Sequence, residues 1–153
     1  ARAYARADLP VLERQIYSTG FYRSKARDLK GIGPLLEKEF NGRVPGTKKD
    51  LMRLPGVSHK SANLIMAKLY GKHTGIAVDT HVMRLAPRLG LTKHHAQQKI
   101  AADLEKLFKP NEYLDVNEYF IMHGRAICNP RPLCAECVLQ DICPSAKKFL
   151  KMI

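Results

Sequence analysis

No apolar run in this sequence is long enough to cross a membrane, which takes about 20 residues, and its opening ARAYARADLP carries no secretory-signal pattern. Sustained apolar–polar alternation is also missing, and the IAV before Asp79 is too short to need a sheet, so the fold expected is all-α. Gly31-Ile32-Gly33 has no strand before it and no second half after it, which makes it a very weak dinucleotide fingerprint. Internal repeats and low-complexity tracts are absent. Acidic residues are scarce: 14 Asp and Glu stand against 26 Lys and Arg, a net charge of +12 with a pI of 9.7. That balance fits a polyanionic partner. Cysteine is absent from every position outside Cys128–Cys143. What remains, 153 residues of which 45% are hydrophobic, can build one substantial core, or one core and a small appendage.

The most informative stretch is Leu51–His81, LMRLPGVSHKSANLIMAKLYGKHTGIAVDTH. Thr47 and Asp50 form a T-x-x-D capping signal ahead of a short helix that Pro55-Gly56 must end. From Ser58 the apolar positions Ala62, Leu64, Ile65, Met66, Ala67 and Leu69 predict a second helix, with Gly71 as its stop. Two helices joined by a tight turn leave backbone N–H groups open at the start of the second, at the positive end of its dipole, where a phosphate can bind. Lys60 lies at that helix head. Cations and a helix N-terminus nearby disfavour an ammonium, which makes a lysine there a usable amine nucleophile. Asp79, ahead of Thr80-His81, suits a helix cap and also a carboxylate aimed at a cleft. Most lysines at helix starts are merely solvated and most such aspartates merely cap, so the weight rests on the pair.

LPGVSHKSAN followed by VDTHVMR resembles the helix-hairpin-helix and catalytic-aspartate segments of the endonuclease III family of DNA glycosylases. The resemblance runs from about residue 3 to 145. It implies a helical-barrel helix-hairpin-helix domain at 1–110, lacking helices that precede this point in the family, and a C-terminal module at 111–153. Lys60 and Asp79 are then the catalytic residues, and Gly56, Val57, Ser58 and His59 meet a phosphate. Ser58 replaces a usual glycine, which predicts strain or a positive φ there. Phe21, in STGFYRSKARDL, occupies the position of an apolar wedge that helps extrude a nucleotide; the alternative is a core aromatic.

In chain order, Asp8-Leu9-Pro10 predicts a helix start, and Gly20 its stop. Ser24–Phe40 reads as a helical face interrupted by GIGP. A helix over His81–Leu89 closes at Gly90, with Arg84 and Arg88 one turn apart, reaching phosphates or lining a solvated face. Thr92 predicts the next cap, for a helix burying Ile100, Leu104 and Leu107. His94-His95 read as surface residues. Glu112–Ile127 forms a further helix, with His123-Gly124 allowing a close approach.

Cys128, Cys134, Cys137 and Cys143 follow the pattern C-x5-C-x2-C-x5-C. Two disulfides would need an oxidising compartment. Spacing alone leaves a four-cysteine zinc site or an iron–sulfur cluster. HGRAI and CNPRPLCAECVLQDICP resemble the family's cluster loop, its first gap one residue shorter here, and imply a [4Fe–4S] cluster, with Zn2+ the alternative. The cluster's implied role is to fold a loop that brings Arg125, Arg131, Lys147 and Lys148 to the DNA backbone.

The implied function is a bifunctional DNA glycosylase/AP lyase of base excision repair, removing oxidised pyrimidines and cutting 3′ to the abasic site through a Lys60 Schiff base. The alternatives are a monofunctional glycosylase and a non-catalytic DNA-binding module. The implied partner is double-stranded DNA with a damaged base or abasic site, bound by a monomer with no membrane association. Its expected location is the bacterial or archaeal cytoplasm, at the nucleoid, or a eukaryotic nucleus or mitochondrion.

Overall fold

The structure, a computed structural model, describes residues 1–151. Regular structure among them is entirely helical: α1 Arg2–Arg6, α2 Leu9–Gln15, α3 Tyr22–Phe40, α4 Lys48–Leu51, α5 His59–Tyr70, α6 Thr80–Arg88, α7 Gln97–Leu107, α8 Tyr113–Ala126 and α9 Ala146–Leu150, with 3-10 turns at Pro110–Glu112 and Cys134–Glu136. The chain divides into two compact units, Ala1–Ala62 and Asn63 onward.

In the first unit, Asp8 caps α2 by accepting from the Val11 N–H at 3.2 Å, and Pro10 falls in the first turn, where its missing N–H costs nothing. The helix ends at Gln15, short of Gly20. α3 is continuous through the expected break: Pro34 lies inside it. Two glycines explain why the break does not occur. A Cβ on Gly33 would come 2.5 Å from the Ala5 nitrogen, and one on Gly31 would come 3.2 Å from the Pro55 ring. The glycines thus permit close packing, and that packing offsets the hydrogen bond Pro34 forfeits. Leu12, Ala26, Leu36, Leu51 and Leu54 are buried in this unit. Phe21 precedes α3 in the left-handed conformation, at φ 57°, and is 89% exposed. It is therefore not a core aromatic. Tyr22 takes the packing role, 4.9 Å from the Tyr17 ring.

In the second unit, Ile76, Val78, Val82, Leu85, Ile100, Leu104, Val116 and Phe120 form the core. α6 ends as its sequence predicts, with Gly90 at φ 74°. Thr92 caps no helix. Its hydroxyl donates to Asp103 at 2.6 Å and accepts from the His94 N–H at 3.0 Å, while α7 begins later, after Ala96. Leu107 is 57% exposed, and Phe108 packs on the core in its place. Gly124 does permit a close approach: a Cβ there would lie 2.7 Å from His81 Nδ1, on α6.

Candidate active site and cysteine centre

The hairpin is built as its sequence dictates. Thr47 Oγ1 accepts from the Asp50 N–H at 3.1 Å and donates to the Asp50 carboxylate at 2.7 Å, which holds that acid below its usual range. The turn closes through a bond from Val57 N–H to the Leu54 carbonyl at 3.1 Å. Val57's amide is thus engaged inside the turn. Gly56 adopts φ 73°, and a side chain there would collide with the Asp28 carboxylate. Ser58 has no positive φ, contrary to the strain its sequence suggested. Its Oγ accepts from the Ser61 N–H at 3.4 Å and its carbonyl from the Ala62 N–H at 2.9 Å. The serine is a helix cap, which a glycine could not supply. His59 is exposed and Lys60 half-buried in the first turn of α5. Beside the turn lies an open cleft of about 310 Å³ whose walls include Ile16, Asp28, Pro55, Gly56, Val57 and Ser61.

Asp79, in the second unit, is buried and caps α6, its Oδ1 accepting from the N–H groups of His81 at 2.8 Å and Val82 at 2.9 Å. At the other end of that helix the arginines do something the sequence did not suggest. Arg84 donates to the carbonyls of Cys128 and Gly124, both at 3.0 Å. Arg88 donates to the carbonyls of Asn129 at 2.7 Å and Pro130 at 3.1 Å, and to Cys128 Sγ at 3.4 Å. Its guanidinium lies 4.6 Å from the Phe149 ring centroid. These side chains tie α6 to the cysteine loop and are not a solvated face. Arg125, Arg131, Lys147 and Lys148 are exposed.

All four cysteines are free thiols lining one small cavity, with apolar walls from Leu89, Ile127, Leu139 and Ala146. The Leu139 N–H donates to Cys137 Sγ at 3.4 Å, and Arg88 to Cys128, as thiolate ligands require. Burial pushes the Cys134 thiol up, reinforced by the charge its three neighbours would carry, with Arg88 opposing. A site of four sulfurs that repel one another as thiolates in an apolar wall suits a cationic group that neutralises them. Among the described residues no three His, Cys, Asp or Glu side chains are grouped to hold a single metal ion. His94, one of the pair read as surface residues, has its Nδ1 within hydrogen-bond distance of the Asp103 carboxylate, at 2.8 Å.

Residues 1–110 match the family model described as HhH-GPD superfamily base excision DNA repair protein. The chain belongs to the HhH-GPD superfamily. Within that superfamily it is an enzyme of the endonuclease III type. It is 44% identical to "Endonuclease III" of Synechocystis sp., over 96% of this chain and 68% of that protein. It is 37% identical to "Endonuclease III-like protein 1" of Gallus gallus, over 93% of this chain but 52% of the relative, so it spans about half of that longer protein. A solved structure of a trapped endonuclease III–DNA covalent intermediate superposes with a TM-score of 0.89 at 35% identity, covering 96% of this chain and 70% of the other. A non-covalent endonuclease III–DNA complex matches with the same score and identity. A thermostable thymine-DNA glycosylase, 23% identical with a TM-score of 0.81, shares the fold.

Proposed function

We propose that this HhH-GPD protein excises oxidised pyrimidines from double-stranded DNA and then cuts the strand 3′ to the abasic site. The observation that carries the reading is Lys60 in the first turn of α5, directly after a hairpin whose glycine and serine shape an open helix N-terminus. A phosphate would sit at the amides of Gly56, Ser58 and His59. Exposed Phe21, held in a conformation bulky residues avoid, would wedge into the stack as the nucleotide is extruded. The Lys60 amine, deprotonated, attacks C1′ of the flipped nucleotide, and the base leaves with the C1′–N bond electrons. Loss of a further amine proton and opening of the sugar give an iminium carbon, and removal of a C2′ proton expels the 3′ phosphate. Asp79 would take the amine proton or stabilise positive charge developing on the sugar.

Cys128, Cys134, Cys137 and Cys143 would hold a [4Fe–4S] cluster, which supplies structure rather than reaction chemistry. The four thiols line one small cavity, as a group ligated by all four would need. Visible absorbance with matching iron and sulfide would support it; zinc content without that band would reject it. The bound loop would help hold Arg125, at the end of α8, toward the DNA backbone. We place the enzyme as a monomer working wherever its organism keeps DNA, in a bacterial cytoplasm or a eukaryotic nucleus or mitochondrion. No helix among the described residues is long and apolar enough to cross a membrane.

Borohydride trapping on a duplex with an abasic site tests the reading. The wild-type chain should give a covalent adduct that Lys60→Ala loses. An adduct that survives in the variant would remove Lys60 from the mechanism. Base release from a second duplex carrying an oxidised pyrimidine, with no adduct on either duplex, would identify a monofunctional glycosylase instead.

A further inference from the structure

Between α5 and α6 the chain runs through Gly75, Ile76, Ala77, Val78 and Asp79, all buried and outside any helix or strand. Buried peptide groups outside regular structure need partners from elsewhere. Side chains from three helices supply them. Asn63 of α5 donates to the Ile76 carbonyl at 3.3 Å and is itself braced by the Thr74 hydroxyl at 3.1 Å. Glu105 of α7 accepts from the Ile76 N–H at 2.9 Å. Asn117 of α8 donates to the Ala77 carbonyl at 2.6 Å, and Gln97 of α7 to the Val78 carbonyl at 3.2 Å. Gly75 lets two of them close in: with φ at 152°, a Cβ there would lie 2.8 Å from the Glu105 carboxylate and 2.9 Å from the Asn63 amide.

Asn63 and Asn117 are 5% and 2% exposed, in positions where an apolar side chain would be easier to bury. What they hold is informative. Successive residues are pinned up to Val78, and the next residue is Asp79, whose far side is fixed by the N–H groups opening α6. We propose that Asn117, assisted by Gln97, is a positioning residue for the Asp79 carboxylate: fixing the Ala77 and Val78 carbonyls sets where Asp79 leaves the segment. The assignment rests on the lyase reading given above, since it is there that the placement of Asp79 matters. Misplacement of a catalytic group by about 1 Å can cost roughly 100-fold in rate.

The test is single-turnover strand cleavage and borohydride trapping on abasic duplex, with duplex affinity and folded fraction measured on the same samples. Asn117→Leu keeps the volume and removes the donor. Its rate per folded molecule should fall roughly 10- to 100-fold while affinity for the duplex stays at the wild-type value. Asn117→Asp, which sets an acceptor against the Ala77 carbonyl, should be equally slow at neutral pH and recover part of the rate as acid restores a donor. Should Asn117→Leu fail to fold, Gln97→Met decides: Gln97 is exposed, and its loss should slow the reaction measurably without changing affinity. Wild-type rates in the folded variants, with Asp79→Asn slow, would overturn the positioning role and leave the lyase reading standing. A wild-type chain that neither traps nor cleaves would remove both.

Discussion

Asp79 caps α6, and the lyase reading proposed above gives it a second duty that a single substitution can separate from the first. Its Oδ1 receives two N–H groups at the start of α6, a bond pattern asparagine reproduces with its amide oxygen. Asp79→Asn should therefore leave the melting temperature close to wild type and still slow strand cleavage, because the cap survives and the anion does not. Asp79→Ala should lose the cap as well, about 1 kcal/mol, visible as a lower melting temperature. If the asparagine variant cleaves at the wild-type rate, Asp79 is a cap alone. The sequence made the cap legible, since aspartate before Thr80-His81 and an apolar run is a standard signal. It did not make Asn117 legible as anything but a helix residue. The available clue was its place next to Val116 and one turn before Phe120, on a face otherwise apolar.

At the level of elements, local signals were read well and tertiary ones poorly. Thr47, Asp8 and Gly71 marked helix ends because caps and stops act within one turn. GIGP reads as a break yet forms none, because the close contacts of Gly31 and Gly33 come from Pro55 and α1, far away in sequence. Thr92 resembles a cap but is none for the same reason: its partner, Asp103, lies a loop and a turn away. That loop makes a pH prediction. The Thr92 hydroxyl, then His94, hold the Asp103 carboxyl down to about 2. A folded value below the unfolded one means the contribution is complete above the ordinary carboxylate range and is lost as pH falls toward about 2. Melting curves between neutral pH and that limit should show wild type losing stability in acid more steeply than Asp103→Asn. Equal slopes would mean the clasp contributes nothing to folding.

For the whole molecule, the net charge of +12 overstates what faces a polyanion. Arg84 and Arg88 are committed to neutral carbonyls of the cysteine loop. Exposed Arg125 remains available. Arg125→Ala should reduce the magnitude of the salt slope of duplex binding by about 0.9. Arg88→Ala should instead loosen the cysteine loop, lowering metal retention on dialysis. An unchanged slope for Arg125→Ala would take that residue off the DNA. Phe21, in the left-handed region, carries a backbone cost of about 1–2 kcal/mol, and at 89% exposure it recovers none of it by packing. A population of variants screened for heat resistance alone would discard this aromatic early, and on the wedge role proposed above the survivors would be sturdier proteins with nothing to press into a base stack.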